Sequence, residues 1–492
     1  MDSKKRQCRR GVIYKISYQQ RLAIIRYMLN NLFRKKKIYG NKNTKLKRCL
    51  TVTDLTLLGI GCIIGTGIFV LTGIAAANQA GPAVVLSFVI SGLACTFAAL
   101  SYAELASSVG GCGSAYGYAY VTFGELIAWL IGWILILEYG MSIAAVANGW
   151  SGYFNNALSS IGISIPHSLT HGPYQDGVIN LPASLIIISI MILLIVGVKE
   201  SVKFNAVMVL VKLIAIFTFI LVAIFNVEVS NWQPFMPYGW FDKLEDGRTV
   251  GILAGASIVF FAYVGFDAVS TAGDEAVNPQ KDLPRGIIYS LIFCTLIYIL
   301  VSALLTGVVN YKELGTSSPV AFALTKIGFK SASALVATGV ISGLTTVILV
   351  LFYALTRILL AISQDQLLPE KLSVINKKTQ TPVRIILLTG IIISVVAGLI
   401  PLGNLAEIVN IGTLTAFIFV CFAVLKIRKS KLNFSKKIFK NKFHPLIPCL
   451  GIFSCAALVF FLPTDTWLKF IIWNGLGLFV YLIFGYKNSR LN

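Results

Sequence analysis

The chain has 492 residues, of which 56% are hydrophobic and only 13% are charged. With a mean hydropathy of +0.80, this composition excludes a soluble multidomain protein and is typical of a multi-spanning membrane protein. The net charge of +22 would suit nucleic-acid binding. However, 16 of the 42 lysines and arginines precede residue 51, and only six lie in loops predicted to be outside. This positive-inside pattern indicates anionic membrane lipids, and not nucleic acid, as the partner of the basic residues.

Twelve stretches are apolar and long enough for a helix to cross about 30 Å of hydrocarbon. They are 54–78, 81–108, 122–155, 181–198, 202–225, 249–272, 286–309, 332–364, 382–401, 404–426, 443–462 and 467–486. The short alternating segments of a membrane β-barrel are not seen, so we expect an all-α membrane protein with 12 transmembrane helices. The charge bias predicts that both termini are cytoplasmic, with 1–50 as a basic tail and 487–492 as the C-terminus.

The first span contains an unusual segment, Gly59–Gly73, with five glycines and two threonines. Glycine weakens a helix and permits most backbone angles, so the sequence Gly65-Thr66-Gly67 predicts a break in this helix. Backbone groups that such a break frees are tolerated in a membrane only where they line a site or cavity. The N-terminus of the second half-helix would then suit a carboxylate. The alternative interpretation is a close helix–helix contact through small residues.

The sixth span repeats this pattern about 200 residues later, where Gly265 follows an aromatic cluster and Asp267 lies inside the apolar run. Each predicted break opens a set of five spans, in residues 51–228 and 249–426, and residues 443–486 add two more. Interrupted helices in corresponding positions of two halves indicate a transporter site between inverted repeats. We therefore expect a five-plus-five inverted repeat with helices 1 and 6 broken.

Charged residues within the spans are candidates for function, because a charge at mid-membrane costs about 2.5–3.5 kcal/mol on insertion scales. Glu138 lies deep in the third span and is either functional or a neutral, hydrogen-bonded structural residue. Lys212 lies at the centre of the fifth span and must bind carbonyls or a carboxylate, or lose its proton. It is a candidate proton carrier, or else a permanently charged structural lysine. Glu104 lies near the cytoplasmic end of the second span and suits a solvated or gate-forming carboxylate; Asp267 is a second gate candidate.

Cofactor chemistry and nucleotide hydrolysis have no sequence signal. The nine cysteines follow no metal-ligand or disulfide spacing, so we expect no metal, no cofactor and free thiols. No phosphate-binding glycine loop or ATPase domain is visible, which argues against an enzyme and against primary transport. No obligatory protein partner is indicated either.

Seven motifs in order resemble those of the amino acid–polyamine–organocation transporter superfamily, and within it the cationic amino acid transporter branch and its bacterial relatives. The motifs are IIGTGIFVLTG at 63–73, GPAVVLSF at 81–88, ALSYAELA at 99–106, GSAYGYAY at 113–120, LEYG with VANGWSGY at 137–153, FFAYVGFDAVSTAGDEAVNPQKDLPRGI at 260–287, and LTRILLAISQDQLLP at 355–369. The resemblance covers residues 32 to about 430 well and the last two spans loosely.

The resemblance implies a site at the two broken helices. The substrate carboxylate would bind backbone N–H groups of Thr66, Gly67 and Ile68. The substrate ammonium would bind carbonyls near Ile63 on the first span and Phe261, Ala262 and Val264 on the sixth. Lys212 matches the lysine that proton-coupled members carry where sodium-coupled relatives hold an ion.

Together these features predict a secondary transporter of L-amino acids, with the proton as coupling ion, in the cytoplasmic (inner) membrane. The alternatives are an exchanger of amino acids or polyamines on the same fold and a membrane-bound amino acid sensor that does not transport. We expect Leu344 to line the side-chain end of the pocket opposite Phe261, with Glu138 as the one acid within reach. A desolvated cationic side chain would lack a guaranteed partner there, so the pattern favours neutral amino acids over cationic ones.

Overall fold

The computed structural model describes residues 32–36, 50–109, 114–160, 162–196, 201–245, 248–274, 276–376, 379, 381–429 and 439–491. Most of the basic tail predicted for residues 1–50 therefore lies outside the described residues. The described residues are mostly helical, as the composition predicts. The exception among the named elements is a short hairpin in a loop. Its two strands have two residues each, and β1 (Asp242–Lys243) is antiparallel to β2 (Thr249–Val250).

The described residues of the first half form eight α-helices in order. They are α1 (Val52–Ile63), α2 (Thr72–Ala75), α3 (Val84–Ser108), α4 (Ser114–Thr122), α5 (Glu125–Ser160), α6 (His167–Thr170), α7 (Leu181–Val196) and α8 (Ser201–Ile224). Five-residue turns of π-helix, Gly67–Leu71 and Ala76–Ala80, flank α2 and make it part of one longer helical segment. A glycine- and tyrosine-rich stretch, residues 110–120, follows α3. Its described part begins α4, and residues 110–113 lie outside the described residues.

The second half begins with α9 (Ile252–Val259), which continues as two 3₁₀ segments, Phe260–Tyr263 and Phe266–Asp274. The helices that follow are α10 (Pro279–Val308), α11 (Pro319–Lys326), α12 (Lys330–Gln364), α13 (Val383–Leu399), α14 (Leu402–Lys429), α15 (Leu446–Phe460), α16 (Thr464–Val480) and α17 (Tyr486–Asn488). Proline opens α10 and α11, where its missing N–H has no helical partner to lose.

Local sequence signals explain where the first helix starts. Thr51 caps α1 by accepting a hydrogen bond from the Asp54 N–H at 3.4 Å, and the Asp54 carboxylate accepts one from the Thr51 N–H at 2.9 Å. This reciprocal capping box satisfies two backbone donors that the helix itself leaves free. The chain just before it is tied to the end of the sixth span, where the Val277 N–H donates to the Leu50 carbonyl at 3.0 Å.

Eight helical segments of the described chain are long and apolar enough to cross a membrane. One of them, Val52–Ser108, is 57 residues long and holds the first two predicted spans. Three shorter apolar helices, Leu181–Val196, Val383–Leu399 and Leu446–Phe460, coincide with the fourth, ninth and eleventh. The chain is thus a mostly helical, multi-pass membrane protein, and the count of 12 spans and the inverted repeat stay predictions.

The packing places the interrupted segments at the centre of the bundle. Helix α10 packs along α1 and α3, while α12 packs between α5 and α8, and α14 packs on α5. The segment Ile252–Ala272, which lies in the predicted sixth span, is the most enclosed of the apolar segments, with 89% of its most apolar part buried. The last one, Thr464–Asn488, is only 17% buried and lies at the periphery.

Indole side chains attach this peripheral helix to α5. The Trp133 and Trp473 rings stack with centroids 4.8 Å apart, and each indole N–H donates to the other residue's carbonyl, at 2.9 and 3.0 Å. The Trp129 indole N–H donates to the Gly477 carbonyl at 2.7 Å. Gly477 lies flat against the Trp133 ring, where a side chain would overlap it. Tryptophan suits this interface because it combines a large apolar ring with one donor.

Candidate functional site

The first span is interrupted where the glycine pattern predicts. Helix α1 ends at Ile63, Ile64 is extended with ψ 98°, and the π-helical turn begins at Gly67. The last carbonyls of one helix and the first N–H groups of the next have no intrahelical partners, so both kinds of group are freed at one depth. The N–H groups of Thr66, Gly67 and Ile68 belong to the start of the second segment, which is the end that attracts anions.

The sixth span is interrupted in the same way. The 3₁₀ turn Phe260–Tyr263 ends at Val264, which is extended with ψ 132°. Gly265 then has φ +116°, a conformation that residues with side chains rarely adopt. The following segment starts at Phe266, so the carbonyls near Phe261 and Val264 belong to a terminated helical end.

The two interruptions touch each other. A Cβ atom on Gly67 would overlap the Ala262 backbone, and one on Gly265 would lie 3.0 Å from the Cys62 sulfur. Gly67 therefore serves both interpretations of the glycine segment, because it lies at the break and also permits a close backbone contact. The start of the second segment of the first span therefore lies against Ala262 of the sixth span.

A tyrosine from α10 joins the two breaks. The Tyr298 hydroxyl lies 2.7 Å from the Ile63 carbonyl oxygen and 2.8 Å from the Ala262 carbonyl oxygen. Its side chain is fully buried, with the ring packed against Phe88 and Tyr263. Sequence reasoning missed this residue, because a tyrosine in an apolar helix is typical of core packing.

Lys212 approaches the same break from α8. Its ammonium donates to the Gly61 carbonyl at 2.8 Å and to the Ile64 carbonyl at 3.0 Å. The side chain is fully buried, and its aliphatic part lies against Gly343 of α12, where a Cβ would come within 3.0 Å of the Lys212 Cβ. The lysine thus contacts carbonyls of the first span and the eighth predicted span at once.

Two buried carboxyl groups lie close to the interruptions. Asp267 accepts a hydrogen bond from the Tyr139 hydroxyl at 2.8 Å through one oxygen. Its other oxygen and both oxygens of Glu138 are buried and have no hydrogen-bond partner among the described residues. Glu138 lies on the face of α5 that meets Gly412 of α14. Burying a carboxyl group without partners is costly, so Asp267 and Glu138 remain candidates for a functional role.

The residues predicted to line the pocket for the substrate side chain are apolar and buried. Leu344 is fully buried and Phe261 is 5% exposed. Val347, one turn along α12 from Leu344, faces the break, since a Cβ built on Gly65 would lie 3.6 Å from its methyl groups. Thr66 has a buried hydroxyl without a partner among the described residues, next to Gly149 of α5. Sequence reasoning did not single out Val347 or Gly149.

Glu104 forms an ion pair well away from these breaks. Its two oxygens accept hydrogen bonds from the Arg428 guanidinium at 2.5 and 2.6 Å, and one also accepts from the Asn441 N–H at 3.1 Å. The Glu104 side chain is only 8% exposed, so it is not the solvated carboxylate of the first alternative. The pair joins the end of α3 to the end of α14 and leaves the gate role as a prediction.

The described part of the basic tail is bound to the same face of the bundle. Lys36 pairs with Asp365 at 2.7 Å, and the Arg34 guanidinium donates to Glu125 at 3.1 Å. The fully buried Glu125 carboxylate also accepts from three hydroxyl groups, those of Tyr120, Tyr481 and Ser489. One carboxylate therefore holds the tail, α4 and the C-terminal segment together. Sequence reasoning did not predict this cluster.

The chain was compared with known proteins. Residues 50–486 match the model of the amino acid permease family. The methylthioribose transporter of Bacillus subtilis (strain 168) is 46% identical over 470 residues, covering 94% of this chain and all of that protein. The branched-chain amino acid permease BcaP of the same organism is 44% identical over 477 residues, again 94% of this chain and all of the relative. The vacuolar cationic amino acid transporter 4 of Arabidopsis thaliana is 35% identical over 411 residues, covering 81% of this chain and 67% of the relative.

These matches confirm the resemblance that the seven motifs indicated. The family and these relatives are transporters and not enzymes. The two backbone interruptions and the side chains around them lie wholly inside the matched residues. The chain belongs to the amino acid permease family, within the amino acid–polyamine–organocation superfamily.

Proposed function

We propose that this protein takes up L-amino acids by proton-coupled alternating access across the cytoplasmic membrane. The substrate carboxylate binds the N–H groups of Thr66, Gly67 and Ile68. The substrate ammonium binds the carbonyls of Ile63, Phe261, Ala262 and Val264. The positive-inside pattern supports an orientation with both termini in the cytoplasm, which makes the face with Glu104 and the tail segment the inner one.

The strongest support is that the two breaks are in contact, and that one supplies backbone N–H donors while the other supplies carbonyl acceptors. A zwitterion needs an electropositive group for its carboxylate and acceptors for its ammonium within a few ångströms. The start of the Gly67 segment supplies the first, because helix N-termini attract anions. The end of the Phe260–Tyr263 turn supplies the second. BcaP, by its name, carries branched-chain amino acids.

Lys212 supports coupling to protons and not to sodium. Its ammonium donates to the Gly61 and Ile64 carbonyls at the C-terminal end of α1, where it acts as a bound cation would. Protonated, it ties α8 to the first span and holds the outward-facing arrangement. Release of the proton to the cytoplasm weakens this link and favours opening inwards.

The lining favours neutral side chains. Leu344 and Phe261 are apolar and buried. Glu138 has unpartnered oxygens, yet it faces α14 at Gly412. Desolvating a cationic side chain costs several kcal/mol unless it is fully paired, so leucine-like substrates are preferred over arginine.

The test is uptake of labelled amino acids by proteoliposomes that contain the purified protein. We expect labelled leucine to accumulate when the lumen is made alkaline, without a requirement for sodium. Unlabelled leucine should inhibit this uptake, and arginine should not. Exchange that needs substrate on both sides and ignores the pH gradient would establish the exchanger instead. Binding of leucine without any uptake or exchange would indicate a sensor.

A second candidate substrate is methylthioribose, because a relative 46% identical over 470 residues is named for its transport. This thiosugar has neither carboxylate nor ammonium and would not need both polar ends of the site. Unlabelled methylthioribose should therefore fail to compete with leucine at equal concentration. Competition by methylthioribose that exceeds that by every amino acid tested would favour this second function.

A further inference from the structure

We propose that Tyr298 belongs to the amine end of the site, as a positioning residue that makes the protein discriminate substrates with a primary ammonium from analogues without one. The inference deepens the proposed function and rests on it. It starts from the hydroxyl that lies 2.7 Å from the Ile63 oxygen and 2.8 Å from the Ala262 oxygen.

The hydroxyl has one proton for two acceptors. A phenol donates one hydrogen bond, and each carbonyl oxygen has two lone pairs, so the two oxygens keep most of their capacity after Tyr298 has donated. The phenol oxygen can itself accept a hydrogen bond. A primary ammonium brings three N–H donors, which is the complement of these three oxygens. Because the single phenol proton cannot serve both carbonyls fully at once, one of them lacks a full donor from Tyr298 when no ligand is bound.

The position of the hydroxyl is fixed by packing. The Tyr298 ring lies between Phe88, with centroids 5.5 Å apart, and Tyr263, with centroids 5.3 Å apart, and it is fully buried. A rigid hydroxyl that touches a carbonyl of each broken helix fixes the spacing of the two carbonyls. The spacing sets how well one ammonium reaches both, so the residue acts through Ile63 and Ala262.

Tyr263 offers a matched control. It is also a fully buried tyrosine of the same aromatic cluster, and its hydroxyl donates to one backbone carbonyl, that of Phe88, at 2.9 Å. Tyr263→Phe removes an equivalent hydroxyl and hydrogen bond but leaves the carbonyls at the breaks with their partner. A general loss of packing or stability would appear in both variants.

The experiment measures equilibrium binding of leucine and of 4-methylpentanoate, which lacks the amine, to purified wild type, Tyr298→Phe and Tyr263→Phe. The wild type should bind leucine far more tightly than 4-methylpentanoate. In Tyr298→Phe we expect the Kd for leucine to rise about tenfold, with less than a twofold change for 4-methylpentanoate, so the discrimination ratio falls about tenfold. In Tyr263→Phe the ratio should stay within twofold of the wild type.

An unchanged ratio in Tyr298→Phe, or a parallel loss for both ligands, would overturn the inference while leaving the proposed function intact. A wild type that binds no amino acid would overturn the proposed function, and this inference with it. Should Tyr298→Phe not purify as a monodisperse protein, Tyr298→Met, which is also apolar and of similar length, gives the same two ratios.

Discussion

Replacing Lys212 by methionine should separate substrate binding from proton coupling. Methionine is apolar and of similar length, so it fills most of the space beside Gly343 without a donor for the Gly61 and Ile64 carbonyls. A hydrogen bond to a charged group contributes about 1.5–3 kcal/mol, so losing two costs the lysine-linked arrangement about 3 kcal/mol or more. This shifts the conformational equilibrium by a factor of about 100.

The assay compares two kinds of leucine flux in proteoliposomes. With an imposed pH gradient, Lys212→Met should lose accumulation above equilibrium. At equal pH, exchange of labelled for unlabelled leucine should persist, because the carboxylate and ammonium contacts do not involve the lysine. Lys326 provides a control, since its side chain is 42% exposed and pairs with Glu313 at 2.5 Å, so that Lys326→Met should preserve both fluxes.

Two results would refute this reasoning. One is full gradient-driven accumulation by Lys212→Met, which would make the lysine a structural cation only. The other is wild-type uptake that requires sodium and ignores the pH gradient, which would remove the proton from the mechanism altogether.

Three further predictions concern the breaks, the selectivity and the tail. Gly67→Ala should insert normally into the membrane but reduce leucine uptake more than tenfold, because its Cβ would overlap Ala262. Gly65→Ala is the control and should be tolerated, since its Cβ would meet Val347 at 3.6 Å. Equal uptake by both variants would contradict the contact between Gly67 and Ala262. Competition assays should show leucine uptake insensitive to a hundredfold excess of arginine, and saturable high-affinity arginine uptake that alanine does not inhibit would reverse the neutral preference. Glu125→Gln should lower the unfolding free energy by about 3–5 kcal/mol, because it removes the charge that Arg34 and three hydroxyl groups bind; a melting temperature equal to that of Lys326→Met would show the cluster to be unimportant.

The sequence predicts the breaks well because their cause is local. Glycine at 65, 67 and 265 changes what the backbone can do whatever surrounds it, so the position of each interruption is readable from the chain alone. The same holds for Lys212, since a lysine at mid-membrane needs acceptors and freed carbonyls are the nearest source. Both predictions depend only on the residues of one segment and on the membrane that surrounds it.

The residues that join distant segments could not be predicted in this way. Tyr298 is 235 positions from Ile63, and Arg34 is 91 from Glu125. Their partners follow from how helices pack, which depends on many weak contacts and leaves no local pattern. Tyrosine and arginine are also frequent in roles without long-range hydrogen bonds, so the residue type alone does not predict these contacts.

The carbonyls of the first break accept hydrogen bonds from two side chains of different chemistry. This difference suggests which contacts couple proton release to the conformational change. Lys212 holds Gly61 and Ile64, while Tyr298 holds Ile63 together with Ala262 of the sixth span. A hydrogen bond from a charged donor is about twice as strong as a neutral one, so loss of the lysine proton weakens the first pair of contacts and leaves the second unchanged. In the proposed mechanism, the link between the first span and α8 therefore responds to the proton, whereas the link between the two breaks keeps the proposed amine end assembled throughout. A transporter built in this way can change which side it opens to without dismantling the site that holds its substrate.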